Sequence, residues 1–288
     1  GAYSSSVTVV ADGREIGCTL SGEDQHVRLI SLLGYKVDIA PGPQALIFQY
    51  EDRPGRVDVQ VGVLFTPEQL AAMTADEIQK ALDERLYHDD YEWNKTARVK
   101  FAGKGRMARN MHQLLFWCPK CGGELCMASE GDRIYCRHCG NGASLNEYYD
   151  LLPEEGSVIP ETPRVWFDMQ REHIKKRVAE EGFELREHVK LGTLPADGYL
   201  KDQATSVITG EGELRLDREG LHYEGTKDGE PFAFTIPSRQ LPTYGMCTDV
   251  SRFYTFVDGE FCEFYPERES AELWMLATEE LHRLNGGQ

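Results

Sequence analysis

The chain has 288 residues, 41% of them hydrophobic, and a formal net charge of −17 at pH 7. This length can bury about two or three modest cores, and the lack of any apolar run of about 18 residues excludes a membrane-spanning helix. The acidic balance disfavours nucleic acid as a general partner, since duplex binding relies on Lys and Arg to neutralise phosphates.

Residues 1–65 predict a β-rich N-terminal segment. An alternating run at 7–10, a turn at Asp12-Gly13 and a return run at 15–20 are typical of a hairpin. Further strands are predicted at 35–39, 45–50 and 56–65, separated by Pro-Gly turns. The start lacks both an initiator methionine and a signal-peptide pattern, so we expect a processed or excised piece of a longer protein with no secretory signal.

Residues 66–111 predict a helical segment followed by a basic connector. Thr66 before Pro67, and Thr74 before Glu77, are typical N-caps, and the second helix carries an apolar stripe at Ile78, Leu82 and Leu86. His88-Asp89-Asp90 behind it reads as a solvated helix end rather than a metal site.

The basic connector has two open interpretations. Between 95 and 121 the chain has seven basic residues and no acidic one, with aromatic and aliphatic residues interleaved. The stretch is suited to rest on an anionic membrane surface or a phosphate-bearing ligand. The alternative, which we favour, is a connector that neutralises acidic neighbours on the same protein. The candidate surface contacts are Lys95, Arg98, Lys100, Lys104, Arg106 and Arg109.

Residues 112–152 predict a zinc ribbon. Cys118, Cys121, Cys136 and Cys139 form two C-x2-C pairs separated by fourteen residues, and a glycine follows each pair to let the backbone turn. The spacer predicts two short strands around residues 129–132. Four protein thiolates leave no open coordination position, so we expect structural Zn²⁺ whose binding free energy stabilises a module too small for its own core.

Other cysteine chemistries stay open as alternatives. The pairs are compatible with two disulfides or a redox pair, and His138 is placed to replace one cysteine as a ligand. Cys126 lies near enough to compete for the metal. The remaining cysteines, Cys18, Cys247 and Cys262, are isolated in strand-like contexts, which together with Cys126 predicts reduced thiols and a cytoplasmic location.

The last 130 or so residues predict an α+β arrangement. An acidic linker leads to a linking helix at 163–182, with Val165, Met169 and Ile174 near its packing face, Trp166 beside them, and Gly182 at its end. Residues 184–288 predict consecutive antiparallel strands at 213–216, 221–223, 232–236, 253–257 and 261–265, then a helix at 270–284. This order resembles pleckstrin-homology or GRAM-type modules, and the resemblance implies a half-open β-barrel closed by the helix.

A sharper resemblance rests on several separated motifs. They are R-V-D-V at 56–59, L-F-T-P-E-Q-L at 64–70, Y-H-D-D-Y-E-W at 87–93, F-A-G-K-G at 101–105, the ribbon cysteines, N-E-Y at 146–148 and L-A-T-E-E-L at 276–281. Together they resemble the C-terminal half of bacterial 1-acylglycerol-3-phosphate acyltransferase proteins, which carry a zinc ribbon and a β-rich tail. The resemblance covers residues 50–288 and is strongest at 56–150.

The resemblance implies a location downstream of a catalytic domain. That family depends on a His-x4-Asp dyad, and none of the eight histidines of this chain is followed by Asp at that spacing, so no catalytic residue carries over. We therefore expect a non-catalytic accessory or scaffold region that partners an acyltransferase domain in lysophosphatidic acid acylation, in the cytoplasm or peripheral to a membrane. The alternative is a zinc-ribbon recognition module for nucleic acid or protein. Residues 122–150, with two basic and five acidic residues, make nucleic acid the weaker option unless the upstream basic stretch does the binding.

Overall fold

The computed structural model describes residues 4–11, 14–21, 42–50, 53–61, 64–101, 103–194, 206–247 and 249–287, and for the first four ranges it describes the backbone alone. Helices and antiparallel sheets are both present, which confirms the predicted α+β class. The chain divides into two compact units, Gly1–Tyr87 and His88–Gln288. This division does not test the finer organisation into five segments, which stays a prediction.

The first unit contains a four-stranded antiparallel sheet. Its strands are β1 (Ser4–Ala11), β2 (Arg14–Ser21), β3 (Gly42–Tyr50) and β4 (Arg53–Val61), in the order β2-β1-β3-β4. The predicted hairpin is confirmed, since β1 and β2 pair along their whole length. The predicted strand at 45–50 lies within β3, and β4 ends at Val61 rather than at Phe65. The strand predicted at 35–39 lies outside the described residues.

Two short helices follow the sheet, α1 (Pro67–Ala72) and α2 (Ala75–Leu86). Both predicted caps are confirmed as capping boxes: Thr66 exchanges hydrogen bonds with Gln69, and Thr74 with Glu77. Each cap satisfies first-turn N–H groups that a helix leaves without a partner, which stabilises it by about 1 kcal/mol. No residue of either helix is fully buried. Of the predicted apolar stripe of α2, Ile78 and Leu82 are half-buried and Leu86 is 76% exposed.

The second unit begins with a helix that the sequence analysis missed, α3 (Asp90–Ala97). Asp89 is its N-cap and accepts hydrogen bonds from the backbone N–H groups of Tyr91 and Glu92, at 2.9 and 3.2 Å. The polar triplet that begins at His88 therefore starts a helix instead of trailing one. A single turn, α4 (Met111–Leu114), then leads into the ribbon.

The ribbon is a four-stranded antiparallel sheet of β5 (Met127–Glu130), β6 (Arg133–Cys136), β7 (Gly142–Leu145) and β8 (Leu151–Pro153), in sequence order. The two strands predicted around residues 129–132 are confirmed as β5 and β6. Buried Leu115, Ile134 and Ala143 form the ribbon's small core together with Trp166, which comes from the next helix. The ribbon therefore depends on a side chain from outside its own sequence.

That next helix, α5 (Pro163–Ala179), buries Trp166, Gln170, Ile174 and Val178 at four-residue intervals. The predicted packing face was partly wrong, because Val165 and Met169 are 39% and 42% exposed. A spacing of four residues keeps side chains on one face of a helix. The face that packs is therefore the one that carries Trp166, whose side chain lies in the ribbon core. The helix ends just before Gly182, which has a positive φ of 76°.

A seven-stranded antiparallel sheet completes the unit. Its strands are β9 (Glu184–Thr193), β10 (Val207–Asp217), β11 (Gly220–Lys227), β12 (Glu230–Pro237), β13 (Gly245–Met246), β14 (Phe253–Val257) and β15 (Glu260–Pro266). The order is β12-β11-β10-β9-β15-β14-β13. The two meanders join where β9 pairs with both β10 and β15. Among the described residues β12 and β13 are unpaired edges, so the sheet is not closed into a barrel.

The C-terminal helix, α6 (Ala271–Leu284), packs on this sheet. As predicted, Leu273, Trp274, Ala277 and Leu281 are buried, in one core with sheet residues such as Phe264. The predicted last member of the stripe, Leu284, is 49% exposed. Within the described residues, no helix has both the length and the apolar character that crossing a membrane requires.

Candidate metal centre

Two tight turns hold the cysteine pairs. In the first, the backbone N–H of Gly122 donates to the carbonyl of Cys118 at 2.8 Å, and in the second Gly140 donates to Cys136 at 3.0 Å. Both glycines have positive φ, 74° and 70°, a region in which a Cβ atom costs about 1–2 kcal/mol. The glycine after each C-x2-C pair thus lets the chain turn back on itself and bring both sulfurs of the pair to the same side.

The structure brings the four predicted cysteines together. The Sγ atoms of Cys118, Cys121, Cys136 and Cys139 all lie within 4.8 Å of one another. The Cys118–Cys139 and Cys121–Cys136 sulfur distances are 3.7 and 3.8 Å. A regular tetrahedron with metal–sulfur bonds of 2.3 Å has an edge of about 3.8 Å. The group could therefore hold a metal ion.

Two alternatives raised by the sequence, the two disulfides and His138 as a ligand, are not what the structure shows. None of the seven cysteines that the structure describes forms a disulfide, and the group that could hold a metal ion consists of four cysteines without His138. Cys126 is buried with its Sγ 3.6 Å from that of Cys136 and 3.2 Å from the carbonyl oxygen of Gly123. Burial raises the pKa of the Cys126 thiol to about 12, and Cys126 lies outside the group of four sulfurs.

A buried asparagine fixes the second turn. The Asn141 side chain, fully buried, donates to the carbonyl of Val158 at 2.9 Å and accepts from the Val158 N–H at 2.6 Å. Its amide nitrogen also lies 3.8 Å from the Cys118 sulfur. Burying an amide whose hydrogen bonds are satisfied costs little stability, whereas burying one without partners costs about 1–3 kcal/mol. The contact therefore connects the cysteine group to the chain that leads towards α5.

Helix α5 also contacts the ribbon through hydrogen bonds and ion pairs. The indole Nε1 of Trp166 donates to the carbonyl of Trp117 at 2.9 Å. The amide of Gln170 accepts from the Trp117 N–H and donates to the carbonyl of Leu114, each at 3.0 Å. One turn further on, His173 and Arg177 both bind the carboxylate of Glu124. Trp166 and Gln170 thus hold the residues that precede Cys118, and His173 and Arg177 hold Glu124, which follows the first cysteine pair.

A second contact that the sequence did not reveal links the ribbon to the C-terminal part. His112 Nδ1 lies 2.7 Å from the hydroxyl oxygen of Ser129, and His112 Nε2 lies 3.1 Å from a carboxylate oxygen of Glu269. The Ser129 hydroxyl also accepts from the His112 backbone N–H at 3.0 Å. Because the three residues are up to 157 positions apart, no local sequence pattern could indicate this arrangement.

A second group of metal-ligand types lies in the β10–β11 turn, at Asp217, Glu219 and His222. Most of its possible ligand atoms already have partners: one oxygen of Asp217 accepts from the Glu219 N–H at 2.9 Å, and the other Asp217 oxygen binds Arg215. Both ring nitrogens of His222 have hydrogen-bond partners, Asp217 and Thr235. Burial lowers the pKa of His222, as does the nearby Arg215 charge. The group is a hydrogen-bonded turn.

The six predicted surface contacts fall into two sets. Three of them bind acidic residues of the same unit. Lys95 binds Glu92 and Glu161 at 2.7 and 2.5 Å, Arg98 binds Asp150 at 3.1 Å, and Lys100 binds Glu147 at 2.5 Å. For these three, the favoured interpretation of a neutralising connector is supported. The other three, Lys104, Arg106 and Arg109, are exposed and have no ion-pair partner among the described residues.

Comparisons of the chain with protein-family models, with curated proteins and with solved structures find no match. No similarity from these comparisons links it to acyltransferases, so that resemblance stays a prediction.

Proposed function

We propose that this chain is a non-catalytic scaffold whose ribbon is stabilised by structural Zn²⁺. The observation that carries the proposal is the group of four sulfurs within 4.8 Å of one another. Four thiolates are the ligand set of structural zinc sites, and they fill the tetrahedral coordination that zinc prefers. A substrate or an activated water would have no position left on the ion.

Zinc would supply folding free energy by cross-linking the two turns of the ribbon. Burial raises the pKa of the Cys118 thiol to about 12, and a divalent cation among the sulfurs reverses such a shift because it stabilises the thiolate. The ribbon needs this help, since its core is small and includes Trp166 from α5.

The proposed partner is a phospholipid-synthesising acyltransferase domain, on the basis of the sequence resemblance alone. The seven-stranded sheet and α6 would form a pleckstrin-homology-like or GRAM-like module. Two meanders that join through their first and last strands, followed by one packed helix, support this comparison. Such a module adds a second binding surface to the scaffold.

The alternative function, a nucleic-acid-binding ribbon, has less support. Of the two basic residues between 122 and 150, Arg133 is bound by Glu154 through two hydrogen bonds, and only Arg137 remains without an ion-pair partner among the described residues. A ribbon with so little available positive charge cannot neutralise several phosphates.

Metal analysis of the purified chain tests the zinc proposal. We expect one zinc ion per chain, lost together with the folded ribbon in Cys118→Ser and retained in Cys262→Ala, a buried cysteine of the distant sheet. Full zinc content in Cys118→Ser, or iron in place of zinc, would contradict it. A separate assay with an acyl thioester and lysophosphatidic acid tests the non-catalytic role, and we expect no turnover above a protein-free control.

A further inference from the structure

We propose that residues 103–110, the cationic loop, dock the chain on an anionic lipid surface through Lys104, Arg106 and Arg109. The inference goes beyond the scaffold function and requires only a folded ribbon. In a chain of net charge −17 most cations are expected to bind acidic side chains. These three, exposed and clustered within six positions, have no ion-pair partner in the part of the chain that the structure describes.

The cationic loop is held in one conformation by the ribbon. Met107 and Ala108, which lie between the cations, are 7% and 0% exposed and belong to the ribbon core. The Met107 N–H donates to the Asp132 carboxylate at 2.7 Å, and the Ala108 N–H donates to the carbonyl of Gly131 at 3.1 Å. Because the backbone is anchored on the inner side, the cationic side chains are presented outwards at little further cost in conformational entropy.

Acidic groups nearby do not cancel the charge. Asp132 directs its carboxylate at the Met107 backbone, and the exposed Glu130 adjoins Gly131 without forming an ion pair with the loop among the described residues. Neither carboxylate therefore neutralises a cation of the loop in the part of the chain that the structure describes. The contrast with Lys95, Arg98 and Lys100, each held by an acidic partner, is what singles out the loop.

Exposed apolar side chains flank the loop on both sides in the sequence. Val99, Phe101 and Leu114 are 43%, 41% and 38% exposed. Cations combined with exposed aromatic and aliphatic groups suit the boundary between lipid headgroups and acyl chains, where the apolar groups insert and the cations meet phosphates. A nucleic-acid duplex would contact the cations through its phosphates and leave the apolar groups in water, so the lipid surface is the better fit.

Vesicle sedimentation of the full chain tests the inference. The probes are vesicles of phosphatidylcholine alone and of phosphatidylcholine mixed with phosphatidylglycerol, at low and high salt. We expect binding to the mixed vesicles only, weakened by salt. The triple variant Lys104→Gln, Arg106→Gln, Arg109→Gln should bind about 100-fold more weakly, since each basic residue near an anionic surface contributes about 1 kcal/mol. Its zinc content should be unchanged.

A charge-matched control separates the loop from overall charge. Lys80→Gln, Lys175→Gln and Lys176→Gln remove three exposed cations elsewhere in the chain and should leave vesicle binding within about two-fold. Equal sedimentation with both vesicle types, or equal weakening by the two triple variants, would overturn the proposal. So would binding of a single-stranded oligonucleotide, or of inorganic phosphate, that depends on the loop while the vesicles show none. Zinc loading in the same samples shows whether the scaffold itself has failed.

Discussion

The indole Nε1 of Trp274 in α6 donates a 3.1 Å hydrogen bond to the carboxylate of Glu187 in β9. The two side chains are 1% and 7% exposed. The same carboxylate accepts from the Ser270 hydroxyl at 2.7 Å and from the Arg268 backbone and guanidinium at 2.8 and 3.1 Å. The buried Glu187 carboxylate thus connects the start of the C-terminal helix to the sheet through hydrogen bonds. Burial alone would raise the pKa of Glu187, but these hydrogen-bond donors have the larger effect. The pKa therefore lies below its ordinary value.

We expect Glu187→Gln to lower the free energy of unfolding by about 2 kcal/mol at pH 7, because it removes the charge that Arg268 and Ser270 stabilise. A depressed pKa contributes stability above the unfolded-state pKa that is lost as pH falls through the folded-state pKa. The gap between wild type and variant should therefore shrink below about pH 4.5. Urea unfolding at several pH values measures this difference in the free energy of unfolding. Glu224→Gln, exposed on β11 with no ion-pair partner among the described residues, is the control and should stay within about 0.5 kcal/mol of wild type.

Glu272, near the start of the same helix, is expected to give the opposite pH dependence. It is 4% exposed. Burial, and secondarily the charge of Glu279, raise its pKa from 4.5 to about 7, while Arg171 opposes the rise. Between these two pH values the folded state holds a proton that the unfolded state has lost, so stability falls as pH rises.

Glu272→Gln should remove this slope and be more stable than wild type above pH 7, by up to about 3 kcal/mol. Thermal or urea unfolding from pH 4.5 to 8 measures the two profiles. Parallel profiles for wild type and variant would contradict a buried carboxylate at this position. Glu181→Gln, exposed at the end of α5, should leave the wild-type slope unchanged.

What the sequence could predict depended on how far apart the interacting residues are. The cysteine pairs, the glycines after them and the two threonine caps act over three or four positions, and all of them could be recognised. The ion pairs of the basic connector could not, because Arg98 meets Asp150 across 52 positions and Lys95 meets Glu161 across 66. Residue type alone gave no reason to divide the six cations into two sets.

The packing face of α5 was mispredicted for a related reason. Apolar residues occur on two neighbouring faces of this helix, and only the tertiary contacts show which one is covered. Trp166 fills the ribbon core and Gln170 satisfies two backbone groups, whereas Met169 faces outwards. A buried glutamine does not count as apolar in a hydrophobic pattern, so the stripe at four-residue intervals was hidden.

Trp166→Ala should separate the ribbon from the rest of its unit. The side chain is fully buried, and removing a large aromatic from a core costs about 3–5 kcal/mol. We expect a lower unfolding midpoint in urea and easier loss of metal to a chelator. Met169→Ala, on the exposed face of the same helix, should change stability by no more than about 0.5 kcal/mol. Similar effects of the two substitutions would contradict the observed packing face.

Gly140→Ala tests how far backbone conformation contributes to metal affinity. Nothing lies within 4 Å of a Cβ atom built at Gly140, whose φ is 70°, so the substitution adds strain without a clash. The strain of about 1–2 kcal/mol should weaken zinc binding about ten-fold in a competition with a chelator. Gly140→Asn should lose less, because Asn tolerates positive φ.

Gly182→Ala provides the matched control for that measurement. Its φ is 76°, with nothing within 4 Å of the added Cβ atom, so the same strain is placed at the end of α5 instead of in a cysteine turn. It should lower the unfolding midpoint while leaving the zinc competition curve of the folded chain unchanged. If Gly140→Ala and Gly182→Ala shift that curve equally, the turn glycine has no specific part in placing the sulfurs, and affinity follows global stability alone.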